Sequence, residues 1–180
     1  MLNNKTVSIF NEKGHFDINR EIVLVDIFRK GIKTACIAVG SVKDSDIRCR
    51  LFDAARHMGF NILSLVHRNS YVSEESTISD GVQIMAGVTI QTKTCVGENS
   101  IINTGAIIDH DCIVGKHTHV CPGAVISGGA MIGNYAFIGP GATFIKGVKI
   151  GNNSVVAAGA VVINDVPEGV TVKGIPAKIK

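Results

Sequence analysis

The sequence predicts a mainly β protein: a parallel β-helix of hexapeptide repeats preceded by a small α/β unit. Two observations carry the repeat. Every sixth residue from Val72 to Val162 is large and apolar, at all sixteen positions of the series. Four residues after each of these, from Ser76 to Ala160, stands a small or β-branched residue. An amphipathic helix would space its apolar residues by 3.6, and this pattern does not. A third observation is compositional. The 180 residues are 46% hydrophobic with 20 Gly, yet aromatics are only 5% and Trp is absent. An aliphatic, Gly-rich, aromatic-poor chain fits stacked β-coils better than an ordinary mixed core.

Residues 1–67 make the first expected unit. A helix is expected over 20–31. Residues 34–40 (TACIAVG) read as a buried strand ending in Gly. Residues 46–58 read as a helix with Ile47, Leu51, Ala54, Ala55 and Met58 on one face. Residues 61–66 (NILSLV) read as a second strand, so strand, helix and strand form a small parallel crossover unit.

Residues 68–180 make the second unit. In each hexad the large aliphatic fills the interior from a short strand, and the small residue fits inside a tight corner. Gly follows the apolar residue at 97, 115, 133, 139 and 151, which frees the backbone there. Three hexads close an 18-residue coil, so sixteen give about five coils and a prism ~25 Å long at a strand spacing of ~4.8 Å. No hexad is interrupted, so chemistry must come from faces and corners. The series is expected to end at Val166-Pro167, leaving a tail that finishes GIPAKIK.

Several function classes are disfavoured. A net charge of +3 is too small to argue for nucleic acid. No apolar run approaches the ~20 residues of a membrane span, and the first residues carry no signal-peptide stretch. The five cysteines, at 36, 49, 95, 112 and 121, form no CxxC pair, which points to a reduced, cytoplasmic protein. Cys112 fills a small corner slot, while Cys95 and Cys121 are expected to point outward.

His110 lies two residues after inward Ile108, at an accessible corner. A histidine imidazole can take up a proton near neutral pH. Adjacent Asp111 is placed to orient the ring and stabilise the imidazolium that forms, and Asp109 is a weaker candidate for that task. His119 precedes inward Val120, so alternation turns it outward on a face. It stands nine residues, half a coil, from His110. One prism keeps the two apart, whereas prisms side by side in a threefold ring bring them together at three interfaces. His117 falls at another corner, where solvation is expected. Corner positions recur every 18 residues, so His110, Gly128 and Lys146 form one column and Pro122, Pro140 and Ala158 another.

The run Ile102-Asn103-Thr104-Gly105-Ala106-Ile107-Ile108-Asp109-His110-Asp111-Cys112 continues with Gly115, His119-Val120, Ser127-Gly128-Gly129 and Gly174-Ile175-Pro176-Ala177-Lys178. This set resembles the sialic-acid O-acetyltransferase and bacillosamine N-acetyltransferase group of left-handed β-helix acyltransferases. The resemblance implies left-handed coils, a homotrimer, acetyl-CoA as acetyl donor and a sugar as acceptor, nucleotide-linked or sialic-acid-like. It implies His110 as catalytic base with Asp111 beside it, and acetyl-CoA contacts at His119, Gly128, Pro140 and Ala158. Gly40 and Asn103 are the expected sugar contacts. Small residues at 128, 129, 158 and 159 leave room for a pantetheine arm, and Lys146, Lys173 and Lys178 are candidates for the coenzyme phosphates. Zinc held by His110, His117 and His119 between subunits is the competing use of these histidines, and the acidic and amide neighbours match the acetyltransferase pattern better. The family opens with a strand and a Gly-His-Gly turn that grips a nucleotide-sugar. Gly14-His15-Phe16 does not reproduce that turn, so the chain is expected to be an N-terminally shortened relative. The alternative expectation is a catalytically weak or non-catalytic trimeric β-helix binding protein that lacks the nucleotide-sugar site.

Overall fold

A computed structural model describes residues 21–41 and 46–180; Gly14-His15-Phe16 lies outside these residues. The first unit runs α1 (Glu21–Arg29), β1 (Thr34–Ala35), α2 (Asp46–His57), β2 (Asn61–Ile62), with β1 and β2 paired in parallel. Its core is Ile37, Leu51, Phe52, Ala55, Phe60 and Ile62. The buried face of α2 differs from the expected one. Ile47 is 48% exposed, while Arg48 and Phe52 are buried with Leu51 and Ala55. The inward stripe is therefore 48, 51, 52 and 55, still a helical spacing but turned by one residue. The reason is that Arg48 finds backbone acceptors inside, which hydrophobicity alone does not reveal.

The expected strand over 61–66 is two strands serving two units. β2 belongs to the first unit, whereas β3 (Leu65–Val66) pairs with the strand Gln83–Ile84 and starts the solenoid. From β3 a two-residue strand recurs every six residues through Val161–Val162 (β19). The strands stack into three parallel sheets, one per face of a triangular prism. Val120 pairs with both Ile102 and Ile138, a spacing of one 18-residue coil. The inward residues Ile90, Ile102, Ile108, Ile126, Ile138 and Phe144 are fully buried, as are the corner residues Ala106, Cys112, Ala124, Ala130 and Ala142. Glycine after the inward residue answers a close approach. At Gly115 an added Cβ would lie 2.6 Å from the backbone nitrogen of Asn134 in the next coil.

The solenoid does not end where the hexad series breaks. Ile150 bridges to Val166 and Val156 pairs with Val172, both 16 residues on instead of 18. One corner is two residues short, and Asp165 closes it by accepting the Lys149 backbone N–H at 2.8 Å. Val166 and Val172 are buried inward residues that continue the prism. Only then does β20 (Thr171–Lys173) turn back into antiparallel β21 (Lys178–Ile179).

The first unit packs on the face formed by β3 and the strands stacked on it. Gln83 donates through Nε2 to the Ile37 carbonyl, and Arg56 pairs with Glu98. Two expectations of exposure are overturned. His117 is buried, stacked on Tyr135 at 4.9 Å between ring centroids and edge-on to Phe52 at 5.7 Å. Cys121 is also buried, which pushes its thiol up to about 11. Cys95 is exposed.

Candidate active site

The corner after the strand Ile107–Ile108 presents Asp109, His110 and Asp111 in sequence. The chain turns there through a left-handed residue, and Asp111 occupies that position at φ 56°. Gly fills the equivalent position at 105, 123 and 129. Lys93, Asn99, His117, Tyr135 and Asn153 hold the same position at other corners, so a side chain there, at a cost of about 1 kcal/mol, is a recurrent feature of this prism. The Asp111 carboxylate accepts the Nδ1–H of His110 at 2.7 Å. That bond, with the nearby charges of Lys93 and Lys146, holds the Asp111 carboxyl below its usual value. With Nδ1 occupied by its proton, Nε2 carries the lone pair. It lies 4.0 Å from Asp109, beyond hydrogen-bond reach, while Asp109 instead accepts the His110 backbone N–H at 2.8 Å.

Gly128 sits directly below in the next coil. A Cβ at 128 would lie 2.6 Å from Nε2 of His110, so the imidazole rests against bare backbone. The column is tied by Gly129 N–H to the His110 carbonyl and Gly147 N–H to the Gly128 carbonyl. The exposed Lys146 continues it.

A second cluster forms on the covered face. His119 points out of the prism, as alternation requires, but the first unit of the same chain buries it. Its Nδ1 bonds the Ser41 carbonyl, and its Nε2 lies 3.2 Å from Nδ2 of Asn103 one coil back. Phe137, one coil on, meets the ring edge-on at 5.5 Å. Gly40 is exposed beside Ser41, so Gly40, Asn103 and His119 gather at one place. Pro140 and Ala158 lie exposed in the column of the adjoining corner, where Gly159 N–H bonds the Pro140 carbonyl. Nothing stands within 4 Å of where a Cβ would project at Gly141 or Gly159, which leaves that column an open strip.

The structure thus brings His110, Asp111 and Gly128 together, and separately Gly40, Asn103 and His119, on different sides of one prism. Sequence reasoning missed Ser41 and Arg48; the signal for Arg48 was its spacing from Leu51, Phe52 and Ala55. Among the described residues no three His, Cys, Asp or Glu side chains form a group able to hold a metal ion. Nor is any described helix long and apolar enough to cross a membrane.

Residues 129–164 match the bacterial transferase hexapeptide (six repeats) family. A histidine point mutant of perosamine N-acetyltransferase from Caulobacter crescentus, solved with CoA and GDP-perosamine, is 38% identical. The match covers 88% of this chain and 74% of that one, at a TM-score of 0.84. The chain belongs to the β-helix sugar acetyltransferases. This acetyltransferase is also 31% identical to the acetyltransferase domain of PglB from Neisseria gonorrhoeae, solved with acetyl coenzyme A. There the match covers 97% of this chain and 83% of that one, at a TM-score of 0.83. WeeI from Acinetobacter baumannii is 28% identical over 80% of this chain and 74% of that one, at a TM-score of 0.73. The solenoid is accordingly the left-handed β-helix of hexapeptide repeats.

The acetyltransferase carries two buried imidazoles, and this sets its response to acid. Desolvation is the main cause that holds both His117 and His119 below the ordinary histidine value. The unfolded chain, with both rings in water, therefore binds more protons below that value. Stability is full above about pH 6.5 and is lost as pH falls from there through the lower folded values. The thermal midpoint is expected to be level above neutrality and to drop on acidification, with a shallower drop in His117→Asn. A midpoint independent of pH between about 7 and 5 would contradict this burial.

Proposed function

We propose that this acetyltransferase moves the acetyl group of acetyl-CoA onto an amino or hydroxyl group of a sugar, with His110 as general base. The observation that carries the reading is the orientation of His110. Asp111 holds Nδ1, and Nε2 is left as a lone pair at an accessible corner, half covered at a side-chain exposure of 45%. Bound acetyl-CoA supplies a thioester carbonyl and a good thiol leaving group. An amine or hydroxyl attacks that carbonyl only as it gives up a proton, and Nε2 is placed to receive it. Asp111 then faces the imidazolium with its negative charge, which stabilises the protonated ring. The strip along Pro140, Gly141, Ala158 and Gly159 bears only small side chains and is open beside both glycines, which suits a thin pantetheine arm. Similarity to an enzyme crystallised with CoA and GDP-perosamine supports a nucleotide-linked amino sugar as acceptor.

A homotrimer completes this reading. Ile107, Ile113, Met131 and Ile145 are each 40–46% exposed on the two faces and corner around His110, an apolar surface suited to a second copy of the chain. His119 stands half a coil away, so a neighbouring subunit supplies it to the acetyl-CoA near His110, where its Nε2 can accept an amide N–H of the pantetheine arm. Trimers of His110→Ala mixed with trimers of His119→Ala, after dissociation and reassembly, are expected to regain part of the activity. Complete absence of recovery, with subunit exchange confirmed and both parents inactive, would rule against the shared site. The function itself is tested by thiol release from acetyl-CoA against a panel of amino sugars, free and nucleotide-linked. Release with at least one acceptor is expected; coenzyme binding without release from any of them would point to a binding protein.

A further inference from the structure

Arg48 is buried to 2% exposure and its guanidinium reaches across both units of the chain. Nη1 donates to the carbonyls of Ile37 at 2.6 Å and Val39 at 2.7 Å, both on the segment that leaves β1. Nε donates to the Asn99 carbonyl at 3.1 Å and Nη2 to the Gly81 carbonyl at 3.2 Å, both on corners of the prism. A planar fork with five donors can hold four carbonyls in fixed directions, which a single ammonium cannot.

Val39 is two residues before Ser41, and there the chain meets His119. A carbonyl only accepts, so the shorter of two contacts to Ser41, that to its carbonyl, requires the proton of His119 to sit on Nδ1, and the Ser41 hydroxyl oxygen at 3.3 Å is a second acceptor for it. Nε2 is then a lone pair. The partner geometry agrees: Asn103 turns its Oδ1 to the Thr104 N–H at 2.8 Å, which leaves its Nδ2–H to donate to Nε2. Burial keeps the ring neutral, so this single N–H is the only one it has. The tautomer of His119 is therefore dictated by where the first unit places one backbone carbonyl.

We infer that Arg48 is a positioning residue for His119: by pinning Val39 to the prism it keeps the Ser41 carbonyl on Nδ1, and so fixes Nε2 as a hydrogen-bond acceptor. The catalytic meaning of this assignment rests on the acetyl transfer proposed above. A bound ligand facing Nε2 must offer an N–H or O–H in place of the Asn103 amide, and a carbonyl oxygen there finds no donor. The docking of the first unit thus selects what His119 can hold, although Arg48 itself touches no ligand.

The test uses the full chain with 15N-labelled histidine, free of ligand, read by long-range proton–nitrogen correlation of the imidazoles. The wild type is expected to show His119 as one neutral Nδ1–H form near neutral pH. Arg48→Lys keeps the charge but not the fork, so His119 is expected to populate both tautomers while far-UV circular dichroism stays unchanged. Arg48→Met should give the same change more strongly. In both variants kcat should fall by about ten- to a hundredfold, the usual consequence of a displaced active-site group. A wild-type ring protonated on Nε2 overturns the inference. So does a folded Lys or Met variant that retains a pure Nδ1–H form, and so does an Arg48→Lys chain that fails to fold, since Arg48 would then act on folding alone. The spectra need no turnover. Tautomer changes as expected, in a protein that transfers no acetyl group to any sugar, would remove the functional reading and leave the positioning one standing.

Discussion

Replacing His110 with Ala is expected to lower kcat by about 100-fold or more, the range in which loss of a general base usually falls. The expectation follows from two contacts and one free position. Asp111 fixes the proton on Nδ1, Gly128 supports the ring from below, and Nε2 has no partner within hydrogen-bond reach among the described residues. The substitution removes no core volume, because the side chain lies at a corner outside the lumen, so the thermal midpoint should hardly move. Asp111→Asn should reduce kcat less. Asn tolerates the left-handed backbone conformation at 111, and its Oδ1 can still accept Nδ1–H, but it brings no charge to face the imidazolium. Steady-state rates at saturating acetyl-CoA and sugar provide the measurement. Unchanged turnover in His110→Ala would dismiss it as the base.

Phe144→Ala is expected to destabilise the fold by about 3–5 kcal/mol, as large-to-small substitutions of buried aromatics do. Phe144 is the one aromatic among the sixteen inward positions of the hexad series, and it is fully buried. It stacks in register between Ile126 and Val162 of the coils on either side. Those coils are held apart by their own backbone ladder and cannot close on the space a phenyl ring leaves. In a solenoid each coil touches only its neighbours, so the loss should concentrate around residues 126–162. Phe144→Leu should recover most of the difference. Urea unfolding reads both effects, and an Ala variant with the wild-type midpoint would mean that the lumen is not closely packed.

The prism was legible because its code is local. Sixteen apolar residues at one spacing cannot be read another way, and the corner residue four places on follows from the same geometry. The shortened coil was not legible, because the series is recognised by its step. Once Asp165 closes a corner with two residues fewer, Val166 and Val172 fall out of phase although they remain in the lumen. The corner triad of Asp109, His110 and Asp111 could be placed from the count alone. The surroundings of His117 and His119 could not. Alternation tells which side chains leave the prism, but whether water or another unit receives them depends on long-range docking. Arg48 shows the same limit in a helix. A charged residue scores as outward, yet four carbonyls supplied by residues 37, 39, 81 and 99 make the interior its place.

The reversal of β21 on β20 has a bearing on whether a further coil can stack on this end of the prism. Parallel strands stacked in register are a template that any free end offers to another chain, the arrangement that lets fibrils grow. Here β21 lies antiparallel on β20, Val161 donates its N–H to Gly174, and Ala177 donates to the Val161 carbonyl. The final residues thus satisfy the last edge of two faces with strands running in directions that the repeat cannot continue. At this end of two faces a further parallel coil therefore meets backbone that runs out of phase with it, although the fold keeps the regularity of a cross-β lattice within its own coils.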